Sequence, residues 1–197
     1  SGALAHLTQG FSALTAETAR RNDVAASPRL ISDVEVLLPA GGSTQLSTLL
    51  QNDGRITIVN FIYTRCVTLC LAMGSEYQQL QKAIVDEGLQ DRIRLLSISF
   101  DPTDSPDHLR RYSKTMKANP DVWQFVTMMP GEQRQRVLDD FGIVVIPAPF
   151  DEYEHNAAYH VVSSEPRLGR IVDYGEPMLA LAYAKRALED LDKKGAM

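Results

Sequence analysis

The residues best suited to chemistry are the chain's only two cysteines, Cys66 and Cys70, which are separated by three residues. They follow an apolar, β-branched run at 56–64, after which the hydrophobic period becomes that of a helix. If the helix begins near Cys66, both sulfurs project from one face of its first turn. The amides and positive dipole end gathered there favour thiolate over thiol. The spacing therefore predicts a pair of reactive thiols.

The residues alone leave three interpretations of this pair. A structural disulfide would close a five-residue loop and stabilise the fold by about 2 kcal/mol. In dithiol redox chemistry Cys66 would attack and Cys70 would resolve, although the spacing differs from the familiar C-x-x-C. In a metal site, two thiolates form a soft clamp for copper(I) or zinc. A closed structural zinc site takes four protein ligands, whereas copper(I) accepts two sulfurs and one imidazole.

The elements that must position the thiols alternate between strand and helix. The sequence predicts strands at 56–63, 93–100 and 122–128, followed by a hairpin of 159–163 with 170–174. It predicts helices at 66–87, from Ser105 (N-cap, with Pro106 in the first turn), at 133–141 and at 178–191.

Two further pieces precede this alternation. A strand and turn at 34–43, paired with a short strand within 45–50, forms an N-terminal β-hairpin, and residues 1–28 form an appendage with a weak amphipathic helix at 3–16. The order of the predicted strands and helices favours an α/β, thioredoxin-like fold in which helices flank a central mixed sheet. The N-terminal β-hairpin and an inserted hairpin would be additions to this fold. Residues 29–197 would be the thioredoxin-like domain.

Four histidines are candidates for a third metal ligand. His6 lies in the appendage, His108 sits on a predicted helix where a solvated or capping role is favoured, and His155 lies in an acidic stretch typical of exposed loop. His160 begins the strand after the third helix, which in a thioredoxin-like fold starts beside the active-site helix. From the residues, His160 is equally a ligand or a hydrogen-bonded strand-end histidine.

Composition excludes several classes of function. Apolar residues make up 44% and charged residues 23% of the chain, as in ordinary globular domains. A net charge of −5, with no long basic cluster, gives no support to nucleic-acid binding. No apolar stretch approaches the roughly 20 residues that span a bilayer. Because the chain begins at Ser1, removal of a leader or membrane anchor, or trimming of the sequence, is compatible with it.

Several motifs together resemble those of the Sco/SenC family. Residues 60–70 (NFIYTRCVTLC) resemble its copper-binding motif, and residues 99–106 (SFDPTDSP) resemble its S-x-D-P-x-x-D-T/S-P segment. Residues 109–112 (LRRY) resemble the L-x-x-Y that follows, and His160, ahead of an apolar strand and a turn, resembles the family's ligand histidine. The resemblance covers about residues 32–190.

The resemblance implies a function and a ligand set. Sco proteins are thioredoxin-like, bind one copper through two cysteines and a histidine, and help deliver it to cytochrome c oxidase. Carried over, the metal ligands are Cys66, Cys70 and His160, and Asp101 is either a supporting residue or a turn aspartate. The implied partners are a client metalloprotein, such as a cytochrome c oxidase subunit, and a thiol reductase. The implied location is the bacterial periplasm, with or without a tether to the inner membrane, in preference to the mitochondrial intermembrane space.

The chain departs from the family at two positions. Sco proteins usually have proline directly after each cysteine, whereas this chain has Val67 and Leu71. Proline would remove a backbone N–H. The retained N–H groups should favour thiolate at the sulfurs.

The sequence thus predicts a copper metallochaperone whose affinity falls as pH drops, because the ligands must lose protons to bind. One alternative is a thiol–disulfide oxidoreductase in which Cys66 and Cys70 are catalytic. Another is a redox or copper sensor in which the loop at 150–158 differs between bound and free forms.

Overall fold

The computed structural model describes residues 15–66 and 69–197. His6, Val67 and most of the predicted helix at 3–16 lie outside these residues. Residues 15–26 are helical and are labelled α1. The other elements, in chain order, are β1 (Arg29–Leu30), β2 (Glu35–Leu37), β3 (Ser43–Gln45), α2 (Leu46–Gln51), β4 (Ile56–Ile62), α3 (Leu69–Asp86), β5 (Ile93–Ser99), α4 (Pro106–Thr115), β6 (Trp123–Met128), α5 (Glu132–Phe141), β7 (Val145–Ala148), β8 (Glu152–His155), β9 (Ala158–Val162), β10 (Arg167–Asp173) and α6 (Pro177–Gly195).

A mixed sheet of eight strands, in the order β1-β10-β9-β4-β5-β6-β2-β3, forms the centre of the fold. The central strands β4, β5 and β6 are parallel, and β9 joins β4 antiparallel. Every residue of β4 and β5 is buried, as expected for parallel strands covered on both faces. The prediction of an α/β fold with a central mixed sheet flanked by helices is confirmed.

Helices cover both faces of the sheet. On one face, Tyr77 of α3 donates to the Ile58 carbonyl at 2.8 Å and stacks on Tyr159 of β9. On the other face, Phe141 of α5 packs edge-on against Phe61 of β4, with ring centres 5.0 Å apart. Alternate residues of one strand therefore meet different helices.

Helix α1 packs against the domain. Val24 is fully buried, Arg20 donates to the Asp140 carbonyl at 3.1 Å, and Arg21 pairs with Asp173 of β10. The described part of the N-terminal segment therefore contacts α5 and β10. A domain boundary near residue 28 stays a prediction.

Local signals were confirmed where capping chemistry is specific. Ser105 is the N-cap of α4, with Pro106 in the first turn. Its hydroxyl accepts from the His108 amide at 3.2 Å, while His108 Nδ1 accepts from the Ser105 amide at 3.1 Å. His108 thus completes a capping box, which is the capping role expected of it.

Two local predictions require correction. Residues 46–51 form helix α2 rather than a strand, because Leu46 and Leu50 bury one helical face. The stretch expected to be exposed loop contains a second hairpin, in which Val145 of β7 lies opposite His155 of β8. This hairpin forms its own two-stranded sheet. No described helix has the length and apolarity needed to cross a bilayer.

Candidate metal and redox site

The two thiols lie at the start of α3, below the surface. Cys66 precedes the helix rather than lying in its first turn, and its N–H donates to the Tyr63 carbonyl at 3.2 Å. The Cys70 amide donates to the Cys66 sulfur at 3.2 Å, which satisfies one of the amides that every helix start leaves unpaired. Both thiols are free, and Cys66 is 8% exposed whereas Cys70 is fully buried.

The environment separates the two thiols electrostatically. A hydrogen bond from the Cys70 thiol lowers the pKa of Cys66 to about 6; the Cys70 amide and the Tyr63 hydroxyl also lower this pKa, while burial and Glu152 oppose them. The same hydrogen bond and burial raise the pKa of Cys70 far above its ordinary value. At neutral pH Cys66 is therefore a thiolate beside a protonated Cys70, the asymmetry that an attacking and a resolving thiol require.

Asp104 fixes the chain that leads to Cys66. Its carboxylate is buried and accepts from the Thr64 amide at 2.8 Å, the Thr64 hydroxyl at 2.5 Å and the Ser99 hydroxyl at 2.7 Å. Since Ser99 ends β5 and Thr64 lies just beyond β4, the carboxylate joins the ends of two neighbouring strands. The position of Cys66 follows from this junction.

Asp101 supports the same loop from a fully buried position. Its carboxylate accepts from the amide and hydroxyl of Thr103 at 2.9 and 2.8 Å, and from Arg65 at 2.8 Å. Burial acts to raise the pKa of Asp101, but the hydrogen bonds from Thr103 and Arg65 outweigh it and lower this pKa. Asp101 is thus a turn aspartate that also holds the residue preceding Cys66.

The structure does not bring His160 to the thiols. His160 lies inside β9, and its ring packs edge-on against Phe61 and Phe141, with centres 5.8 and 5.1 Å away. Its neighbour Tyr159 stacks on Tyr77 of α3. Because successive strand residues face opposite sides, the sheet stands between His160 and the helix that carries Cys70. This placement argues against the predicted role of His160 as the third ligand.

His155, predicted to be in exposed loop, lies instead at the same end of the sheet as Cys66. Its ring packs against Phe100 and Tyr63, with centres 4.9 and 6.2 Å away. Its Nδ1 lies 3.2 Å from the Asn156 carbonyl, which can only accept, so Nδ1 carries the proton and Nε2 keeps its lone pair. Nε2 is buried without a hydrogen-bond partner among the described residues. Burial also lowers the pKa of His155, which keeps the ring neutral.

The site is open to solvent on one side, and its potential metal ligands do not meet at one point. A groove of about 400 Å³ beside Cys66 is lined by Arg65, Leu71, Arg111 and Tyr112, among others. Within residues 15–66 and 69–197, no three His, Cys, Asp or Glu side chains are grouped closely enough to hold a metal ion. The thiols and His155 instead share one neighbour, Tyr63.

The fold and this thiol pair define a thioredoxin-like protein with a two-cysteine site at the start of a helix. The SCO1/SenC family model matches residues 44–188, and the chain belongs to that family. A SCO1 protein homolog of Bacillus subtilis (strain 168) is 28% identical over 118 residues. That match spans 58% of this chain and 60% of the relative's length.

Solved structures of the family have the same fold. A SCO1/SenC family lipoprotein from Bacillus anthracis str. Ames superposes with a TM-score of 0.68 at 17% identity, over 81% of this chain and 96% of that one. Arabidopsis thaliana ScoI with copper bound superposes with a TM-score of 0.67 at 16% identity, over 81% of this chain and 99% of that one.

Removal of the Cys70 thiol should make Cys66 less acidic. In the reduced wild-type protein, we expect iodoacetamide alkylation of Cys66 to rise with pH with a midpoint near pH 6. Cys70→Ala should move this midpoint up by about one pH unit or more, because the thiol donor is lost. Cys70→Ser retains a side-chain donor and should lie closer to wild type. If both variants kept the wild-type midpoint, the Cys70 thiol would not be what lowers the pKa of Cys66.

Burial of His160 should make the fold sensitive to acid. Burial, aided by Arg20 and Arg21, lowers the pKa of His160 to about 3, whereas an unfolded histidine titrates near 6.5. The unfolded state therefore binds the proton first, and stability falls as pH drops below about 6.5, by up to roughly 1.4 kcal/mol per pH unit. Urea unfolding of His160→Gln between neutral pH and about pH 4 should show less of this loss. If the stability of His160→Gln fell with pH as steeply as that of the wild type, His160 would not be the group responsible.

Proposed function

We propose that the protein is a copper metallochaperone of Sco type that binds one copper through Cys66, Cys70 and His155. The observation that carries this proposal is the buried, unpartnered Nε2 of His155, at the end of the sheet where the thiols lie. His155 takes the place that the sequence motif suggested for His160.

The donor set fits copper chemically. Two thiolates and one imidazole are soft to intermediate ligands, the combination that favours copper(I) among common metals. The Nδ1–H of His155 is held by the Asn156 carbonyl, an arrangement typical of metal-binding histidines because it fixes the ring and its tautomer. In this proposal copper is the cargo that the protein delivers and not a cofactor that it retains.

The arrangement also explains how metal could be both held and released. The β7–β8 hairpin carries His155 and shares no strand pairing with the main sheet, so it can approach the thiols without breaking the central ladder. Oxidation of Cys66 and Cys70 to a disulfide would remove two ligands at once. Copper loading should therefore require the reduced protein and, in a cell, a thiol reductase.

Family membership supports a proposal for the client and the compartment. We infer a copper-accepting metalloprotein, such as a cytochrome c oxidase subunit, as client, and a location in the cell envelope facing the periplasm. The copper-bound Arabidopsis structure supports the cargo, and the lipoprotein from Bacillus anthracis supports the location.

Copper(I) titration with a competing chelator separates the two histidines. We expect one copper per wild-type chain, and a loss of affinity of about a hundredfold or more in Cys66→Ala and His155→Ala, because each removes a ligand. His160→Gln is the matched control and should stay within about threefold of wild type, a difference below 1 kcal/mol. The reverse pattern, in which only the His160 variant loses copper, would overturn the assignment of His155.

A second candidate function, thiol–disulfide exchange, is favoured by the lowered pKa of Cys66. The Cys66 thiolate would attack a substrate disulfide, breaking its S–S bond, forming a mixed disulfide and releasing one substrate thiolate. Cys70 would then displace the second substrate sulfur, leaving a Cys66–Cys70 disulfide and a substrate reduced by two electrons.

Glutathione disulfide tests this exchange directly. Cys70→Ser should stop at a mixed disulfide on Cys66, detected by mass, since the resolving thiol is absent. Disulfide reduction that is fast in wild type and in His155→Ala, together with no copper binding by wild type, would favour an oxidoreductase over a chaperone. Failure of Cys70→Ser to form any adduct would contradict a nucleophilic Cys66.

A further inference from the structure

The groove beside Cys66 is lined by positive charge. Its volume of about 400 Å³ is that of a site for a small molecule. Arg65, His108 and Arg111 line it together with Cys66, and within the part of the chain that the structure describes no aspartate or glutamate does so. The whole chain, by contrast, has a net charge of −5. The surface around the thiol is therefore opposite in sign to the net charge of the protein.

The two arginines differ in how much of their charge is already compensated. Arg65 pairs with the buried carboxylate of Asp101 at 2.8 Å. Arg111 is exposed and has no ion pair within residues 15–66 and 69–197. Arg111 is thus the cation of this groove that is available to an anionic ligand.

His108 adds a hydrogen-bond donor to the groove. Its Nδ1 accepts from the Ser105 amide at 3.1 Å, so the neutral ring carries its proton on Nε2. Guanidinium groups have only donors. The polar groups of the groove that remain unpaired are therefore N–H donors, which suit the oxygens of a carboxylate.

The rest of the lining is largely apolar. Leu71 is 52% exposed, while Met116 is buried and Tyr112 packs against the core. A ligand that suited both parts of the groove would have an aliphatic body and an anionic group, and the only nucleophile that it would meet there is Cys66. A disulfide whose thiols carry carboxylates has this composition.

We propose that the groove selects small disulfides whose thiols carry a carboxylate, and that Arg111 determines this preference by binding the carboxylate. This substrate class rests on the thiol–disulfide exchange given above as the second candidate function. The Cys66 thiolate attacks the near sulfur of the bound disulfide, the S–S bond breaks, and one carboxylate-bearing thiolate leaves. Cys70 loses its proton to solvent and displaces the other, so the ligand gains two electrons and a Cys66–Cys70 disulfide remains.

Three aliphatic disulfides of different charge test the preference. They are dithiodipropionate with two carboxylates, the uncharged hydroxyethyl disulfide, and cystamine with two ammonium groups. Each reacts with reduced wild-type protein and with Arg111→Gln, and loss of the reduced protein is followed by acid quenching and mass spectrometry. For each disulfide, the wild-type rate constant is divided by that of the variant, which cancels the intrinsic reactivity of the disulfide.

The uncharged disulfide registers any general effect of Arg111 on Cys66. Relative to its quotient, we expect that of dithiodipropionate to be about fivefold larger, the effect of one exposed ion pair of good geometry, and that of cystamine to be smaller. Equal quotients, with all three disulfides reacting, would overturn the preference and leave the exchange function intact. Failure of all three to react would contradict the exchange function, and the preference with it.

Arg110→Gln is the matched control. Arg110 precedes Arg111 on α4, but its guanidinium pairs with Asp107 and donates to the Pro39 carbonyl at 3.0 Å. The variant removes the same charge from the same helix and should give equal quotients for the three disulfides. If Arg110→Gln reproduced the pattern of Arg111→Gln, the cause would be net charge, which would overturn the role of Arg111.

Ionic strength gives a second readout. Between about 0.1 and about 1 M salt, the Debye length shrinks from about 10 to about 3 Å. If Arg111 attracts the carboxylate, the wild-type rate with dithiodipropionate, relative to that with the uncharged disulfide, should fall over this range. Repulsion of the dianion by the net charge of −5 would make it rise instead, a result that would contradict the preference.

Discussion

Two buried carboxylates, Asp101 and Asp104, are the constraint on which the site depends. A charge removed from water is costly unless hydrogen bonds replace its hydration, and each of these carboxylates accepts three. Those bonds bind the residues after β5 to Thr64 and Arg65, the two residues before Cys66. The burial of charge at the strand ends thus converts a loop into a fixed platform. The sulfur is positioned by that platform as much as by the helix that follows it.

Residues of the same type in and near this site differ in their chemistry because their surroundings differ. Cys66 and Cys70 are the same residue type, yet one is stabilised as a thiolate and the other as a thiol. Burial of the ring nitrogens lowers the pKa of both His155 and His160. Only His155 lies at the carboxyl ends of the parallel strands, where ligand sites of α/β folds collect. Under the proposed function, location in the topology rather than residue type distinguishes the two histidines.

The sequence carried strong signals for the core and weak ones for the site. The buried strands 56–62 and 93–99, the cap at Ser105 and the thiol pair were predictable, because continuous apolar runs, capping residues and rare cysteines are local signals. The face of the sheet on which the His160 side chain lies was not predictable. All five residues of β9 are buried, so no alternation marks the face of each residue, and a one-residue difference in where the strand begins reverses it. The hairpin at 145–155 was missed because its acidic, proline-containing strands are short and lack a strand-like pattern.

The separate pairing of the β7–β8 hairpin has a consequence for kinetics. Regions with their own small hydrogen-bond network open with a free energy far below that of global unfolding. Cys66 and Cys70 adjoin the central sheet, whereas His155 lies on a hairpin that shares no strand pairing with that sheet. The lifetime of a ligand bound between them would be set by a local opening of a few residues. Selection could then slow or speed delivery by substitutions in the hairpin alone, while the thermal stability of the domain stayed constant.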